Sequence, residues 1–148
     1  MRVVVLAHAF APERELASFA LGGEAGAVAS FVGYCRAEGG KVERLELERY
    51  PGFTEVAITR IAETALRRHG LIDFLVIHRV GVIPAGEAIV LVAASSAHRQ
   101  NALTAVSEVM DYLKTEAPIW KKEIGPAGTR WVEPNAADRR AAARWSRN

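Results

Sequence analysis

The sequence predicts an α+β domain, with helices packed on a mixed, largely antiparallel sheet. Short apolar runs of strand length recur along the 148 residues, two longer stretches carry helical spacing, and two of the runs are joined by a hairpin-like GVIPAGE.

Residues 2–7, rich in Val and Leu, read as a buried strand. Residues 11–21 fit a short helix with Leu16, Phe19 and Ala20 on one side, broken by Gly22-Gly23. A second strand spans 26–34 and leads to Cys35 and Arg36, and AEGGK then forms a turn. Residues 42–50 alternate, Leu45 and Leu47 facing one way and Arg44, Glu46 and Glu48 the other, as in a half-exposed antiparallel strand stopped by Pro51-Gly52. Thr54 is placed to cap a helix running to residue 69, with Val56, Ala57, Ile61, Ala65 and Leu66 inward and Gly70 ending it. Residues 73–80 and 88–94 are the strands on either side of GVIPAGE, and 130–133 add a last short one.

The most informative stretch is 95–122, SSAHRQNALTAVSEVMDYLKTEAPIWKK. Leu103, Val106, Met110 and Leu113 fall at helical spacing, Ser95 or Ser96 can cap the start, and Pro118 stops the helix soon after Lys114. Its charges are unusual. His98 and Arg99 occupy the electropositive end, where acids are favoured, and Lys114, four residues after Met110, extends the apolar stripe. Lys121 and Lys122 follow beyond the proline beside Trp120. Two readings stand: a surface helix with solvated basic ends, or an anion site at both ends. Arg99 and Lys114 are about 22 Å apart along a straight helix axis, so they serve different pockets in one chain. A two-fold dimer would bring one copy's Arg99 to the other's Lys114.

The length suits one domain, residues 1–134, followed by an exposed Ala/Arg helix or tail, 135–148, with four arginines and one acid. No apolar run is long enough for a membrane span, and the opening MRVVVLAHAF is a poor secretory signal. The lone Cys35 excludes an intrachain disulfide and any cysteine-cluster metal site, which suits a cytoplasmic protein. A net charge of +2 with interleaved signs argues against a dedicated nucleic-acid binder.

Walker, GxGxxG, HExxH and GxSxG patterns are absent, and His8, His69, His78 and His98 have no metal-ligand spacing, so neither cofactor nor metal is expected. Cys35 beside Arg36 fits either an activated thiolate or a small core residue. The remaining candidates are basic: Arg36, His98, Arg99, Lys114 and Lys121. Arginine offers a planar fork for phosphate or carboxylate, and two lysines converging around a proline turn would lower one amine's pKa, making it a usable acid, base or nucleophile. Spacing alone leaves an enzyme and a passive anion-binding module both open.

At these residues the sequence resembles the large, catalytic subunit of molybdopterin synthase, the MoaE-like family. The matching segments are GAVASFVGYCR (26–36), LELERYPGFTE (45–55), VIHRVGVIPAGEAIVLVAASSAHR (76–99), MDYLKTEAPIWKKE (110–123) and RWVEP (130–134). The resemblance covers about 26–134 and is looser at both termini. It implies an α/β hammerhead fold and a sulfurtransferase that builds the molybdopterin dithiolene on cyclic pyranopterin monophosphate. The sulfur would come from a C-terminal Gly-Gly thiocarboxylate on a small ubiquitin-like subunit, within a heterotetramer built on a central homodimer. It further implies that Lys114 and Lys121 are the lysines near the incoming tail, Lys114 as central acid/base or covalent-capable amine and Lys121 holding the thiocarboxylate. Arg36, Phe31 and Met110 would be pocket residues of the same chain, and His98 and Arg99 would come from the other large subunit. Asn135 stands where some relatives carry a basic residue. A noncatalytic module on the same fold, binding an anion or a ubiquitin-like tail, is the rival.

Overall fold

The computed structural model describes residues 1–19 and 22–147; the expected inward Ala20 and the end of the first helix at residue 21 lie outside them. In chain order the elements are β1 (Arg2–Leu6), α1 (Pro12–Ala17), β2 (Ala27–Tyr34), β3 (Arg44–Arg49), α2 (Thr54–Arg68), β4 (Asp73–Arg79), β5 (Gly81–Pro84), β6 (Ala88–Ser96), α3 (Arg99–Thr115), β7 (Ile119–Gly125), β8 (Gly128–Val132) and α4 (Ala136–Ala143), then a 3-10 turn, Arg144–Arg147. The strands form two sheets rather than one, ordered β1-β4-β6-β2 and β5-β3-β7-β8. Among the described residues only β1–β4 is a parallel pairing.

The first sheet is covered on both faces, so β4 and β6 read as unbroken apolar runs rather than alternating ones. Phe74, Val76, Val90 and Val92 face α2 and α3, while Leu75, Ile77, Leu91 and Ala93 face Leu16 and Phe19 around α1. The inner side of the second sheet buries Leu45, Leu47 and Ile83 with Cys35, Val42 and Val80.

Several sequence expectations shift. GVIPAGE is more than a hairpin loop: its first half is β5, whose residues Gly81–Pro84 pair with Leu47–Arg44 of the second sheet. Gly81 at φ +82° lets the chain leave one sheet for the other. Ser95 and Ser96 do not cap α3. They are buried in the last pairs of β6, opposite Val28 and Ala27, and His98 precedes the helix without a side-chain cap bond. The buried face of α3 is Ala102, Ala105, Val106, Val109 and Leu113, whereas Leu103 is exposed and Met110 half-buried. Alanines let the helix lie close to the sheet, and a stripe drawn through the larger side chains is rotated away from that contact. Lys114 therefore sits on the exposed margin of the helix instead of extending its core face. The inward face of α2 is likewise offset, to Thr54, Ile58, Ala62 and Ala65, with Val56 exposed. Thr54 is the first helical residue, not the cap. Gly70, at φ +56°, does end the helix, and the Leu71 N–H closes onto the Leu66 carbonyl at 3.0 Å.

The segment after Pro118, given no element from the sequence, is strand β7, paired with β3 and β8. The chain then folds back as α4, which lies against α3 with Ala142 buried.

Candidate active site

Lys114 comes from the last turn of α3, where a cation complements the helix dipole. Its ammonium is exposed and reaches an open cleft of about 400 Å³ lined by Tyr50, Pro118, Trp120, Glu133, Pro134 and Arg139 as well. The chain turns sharply between the helix and β7, with the Ile119 N–H donating to the Ala117 carbonyl at 2.8 Å. Thr54 fixes this turn from below: its Oγ1 accepts from the Tyr50 N–H at 2.9 Å and donates to the Pro118 carbonyl at 2.7 Å.

The pleat of β7 then separates its two lysines. Lys121 pairs with the buried Leu47 and projects from the same side of the strand as Ile119, toward the interior of the second sheet. Lys122 points to the opposite side, where it pairs with Glu46 at 3.3 Å and lies 5.1 Å from the ring of Trp131. Lys122 is thus held by an ion pair and an aromatic face, whereas Lys121 makes no ion pair among the described residues. On the outer side Trp120 packs edge-on to Trp131 at 5.7 Å and its indole N–H bonds to the Tyr50 hydroxyl.

Asp138 at the start of α4 joins the two lysines electrostatically. Its Oδ1 accepts from Lys114 Nζ at 3.3 Å, and its Oδ2 accepts from the Asn135 N–H at 3.1 Å. The Asn135 backbone bond, then the Lys114 bond and charge and the Lys121 charge, hold its carboxyl below the usual range, against an opposing effect of burial. Cys35 is a core residue, and burial pushes its thiol pKa up, the reverse of an activated nucleophile. Arg36 points into solvent and pairs with Glu38 at 3.1 Å. His78, buried in β4 of the first sheet, has its pKa lowered to about 4 by desolvation and donates from Nδ1 to the Arg79 carbonyl, a structural role.

Of the residues singled out in the sequence, the structure brings Lys114 into the cleft, while Lys121 follows on β7 just past the lining residues Ile119 and Trp120 and does not itself line it. Phe31 lies in β2, the edge strand of the first sheet, Arg36 two residues past its end, and Met110 on the flank of α3; none of the three lines the cleft with Lys114. His98 and Arg99 are exposed at the far end of a 17-residue helix, beyond reach of their own chain's Lys114. Asp138, Arg139 and Tyr50 were missed. Asn135 followed three residues later by Asp138, ahead of an Ala/Arg run, is a capping-box spacing that would have revealed the start of α4 and with it Asp138. Among the described residues no group of three or more His, Cys, Asp or Glu comes together as a metal site.

The chain matches one family model, described as MoaE protein, over residues 5–116. The chain belongs to the MoaE family. It is 55% identical over 141 residues to the molybdopterin synthase catalytic subunit of Caulobacter vibrioides, covering 95% of this chain and 89% of that one. It is 47% identical to the molybdopterin synthase catalytic subunit of Cereibacter sphaeroides, covering 98% and 100%. Among solved structures, the molybdopterin biosynthesis MoaE protein from Burkholderia ambifaria superposes with a TM-score of 0.82 at 43% identity, over 97% of both chains.

Proposed function

We propose that this chain is the catalytic subunit of a molybdopterin synthase. It transfers sulfur from a C-terminal thiocarboxylate on a ubiquitin-like small subunit to cyclic pyranopterin monophosphate, forming the molybdopterin dithiolene. The observation that carries the reading is the exposed Lys114 amine in an open cleft, with Lys121 beyond the Pro118 turn directed inward rather than toward bulk solvent. An open cleft suits an extended peptide tail, and the Lys114 ammonium that reaches into it suits an anionic sulfur donor. That the relatives are named a catalytic subunit favours a working partner chain.

Attack of sulfur on a pterin carbon requires a proton to be moved and negative charge to be stabilised. Lys114 supplies the proton-transfer or covalent-capable amine, and Lys121 holds the thiocarboxylate. Arg36, Phe31 and Met110 shape the pterin pocket. His98 and Arg99 of a second copy bind the substrate phosphate, because the length of α3 keeps them from their own chain's Lys114. The working assembly is then a central homodimer with a small subunit at each end. A buried, un-disulfided Cys35 accords with work in the cytoplasm.

The test is reconstitution. The purified chain, a thiocarboxylated small subunit and cyclic pyranopterin monophosphate should yield dithiolene product. Stable binding of the small subunit with no product would favour the noncatalytic module instead.

A further inference from the structure

Asp138 is the only acidic side chain that pairs with Lys114 among the described residues, and α4 is built to keep it there. Its two carboxylate oxygens are divided: one closes the capping box on the Asn135 N–H, while the other faces the lysine. The box is reciprocal, since the Asp138 N–H donates back to Asn135 Oδ1 at 2.9 Å. Further along, Arg144 donates to Asp111 Oδ2 and Ser107 Oγ, each at 2.9 Å, and the Trp145 indole donates to the same Asp111 oxygen at 2.8 Å. These bonds dock α4 on α3 without help from Lys114.

An ion pair this exposed adds little stability, and the helix does not depend on it. Its consequence falls on the lysine. An ammonium on a flexible four-carbon stem, with 60% of its side chain accessible, samples many orientations unless a fixed acceptor selects one. Asp138 is such an acceptor, ionised at neutral pH and immobilised through its second oxygen.

We propose that Asp138 is the positioning residue for Lys114: locked by the Asn135 capping box, its carboxylate holds the amine in one orientation in the cleft. The inference rests on the sulfur-transfer reading for its effect on turnover, though not for its effect on the amine. Misplacement of a reacting group by about 1 Å can cost about a hundredfold in rate, so loss of a guide that leaves the lysine present should cost about tenfold.

Asp138→Asn is the informative variant, because the amide oxygen can still accept from the Asn135 N–H while the charge facing Lys114 is gone. In the assembled enzyme, kcat should fall about tenfold with KM for the thiocarboxylated small subunit unchanged within about twofold. Asp138→Glu should recover most of the rate. Independently of turnover, the NMR order parameter of the Lys114 ammonium should drop in Asp138→Asn, with amide exchange over residues 136–143 unchanged. Wild-type kcat in Asp138→Asn, equal loss in the Asn and Glu variants, an unchanged ammonium order parameter, or undocking of α4 would each overturn the proposal. A wild-type chain that makes no dithiolene, yet shows the ordered ammonium lost in Asp138→Asn, would sink the sulfur-transfer reading and leave the positioning contact standing.

Discussion

Thr54 Oγ1 donates a 2.7 Å hydrogen bond to the carbonyl of Pro118, joining the start of α2 to the turn that separates Lys114 from Lys121. The threonine is fully buried, and its hydroxyl also accepts from the Tyr50 N–H. Valine has the same shape but no hydroxyl, so Thr54→Val leaves the part-buried Tyr50 N–H and Pro118 carbonyl without this partner, at a cost of about 1 kcal/mol. Urea unfolding should show that loss. Sulfur transfer should weaken further than stability alone explains, because the turn would no longer fix the lysines' relative placement.

The two lysines should separate kinetically. Lys114→Ala removes the amine assigned to proton transfer and should lower kcat by about 10²–10⁴-fold. Lys121→Ala should act mainly on KM for the thiocarboxylated tail. Near-normal turnover by both variants would remove the lysines from the mechanism.

Sharing of the pocket predicts complementation. An Arg99→Ala chain and a Lys114→Ala chain, each inactive alone, should regain activity when allowed to exchange subunits, since one mixed site holds both residues. Absence of recovery under demonstrated exchange would mean that each chain supplies its own phosphate-binding residues.

Glu108 lies in the middle of α3 with only 1% of its side chain accessible, and its two oxygens accept from Arg68 and from His69 at the end of α2. Asn101 adds a 2.9 Å bond to the His69 carbonyl. Arg68→Ala should destabilise the fold by about 2–3 kcal/mol, because it strips a buried carboxylate of its strongest partner. Denaturant midpoints measure this directly, and a loss within experimental scatter would show that His69 alone satisfies the charge.

The depressed carboxyl of Asp138 sets a pH dependence for its contact with Lys114. A group whose pKa is lowered on folding contributes stability that is present above its ordinary value, here 3.8, and lost as pH falls through the lower folded value. The order parameter of the Lys114 ammonium should therefore decline on acidification below that value, ahead of amide protection over 136–143, which the Arg144 and Trp145 bonds maintain. Asp138→Asn should abolish the early step. Loss of ammonium order only together with that protection would show that Asp138 does not hold the amine.

Much of the fold was legible because local patterns coincide with tertiary demands. The alternation of Leu45 and Leu47 against charged neighbours matches a strand buried on one face, and the apolar runs of β4 and β6 match strands buried on both. Helix faces were less legible. In α3 the sheet is met by Ala102 and Ala105, which carry little hydrophobic signal, while the bulky Leu103 faces solvent. Ser95 and Ser96 looked like caps because hydroxyls favour helix starts, but pairing with β2 extends β6 through them.

For the candidate site, the sequence by itself determined the chemistry available: a lysine at the end of a helix, a proline stop and a second lysine three residues on. It also determined that Arg99 and Lys114 cannot meet within one chain, since helix rise is a local property of the backbone. Only the tertiary structure decided that Lys121 faces inward and Lys122 outward, because strand pairing, not spacing, sets which side of a pleat is buried. The same holds for the meeting of Asp138 with Lys114. Twenty-four positions separate them, and the contact exists because α4 folds back onto α3 through bonds made elsewhere along its length.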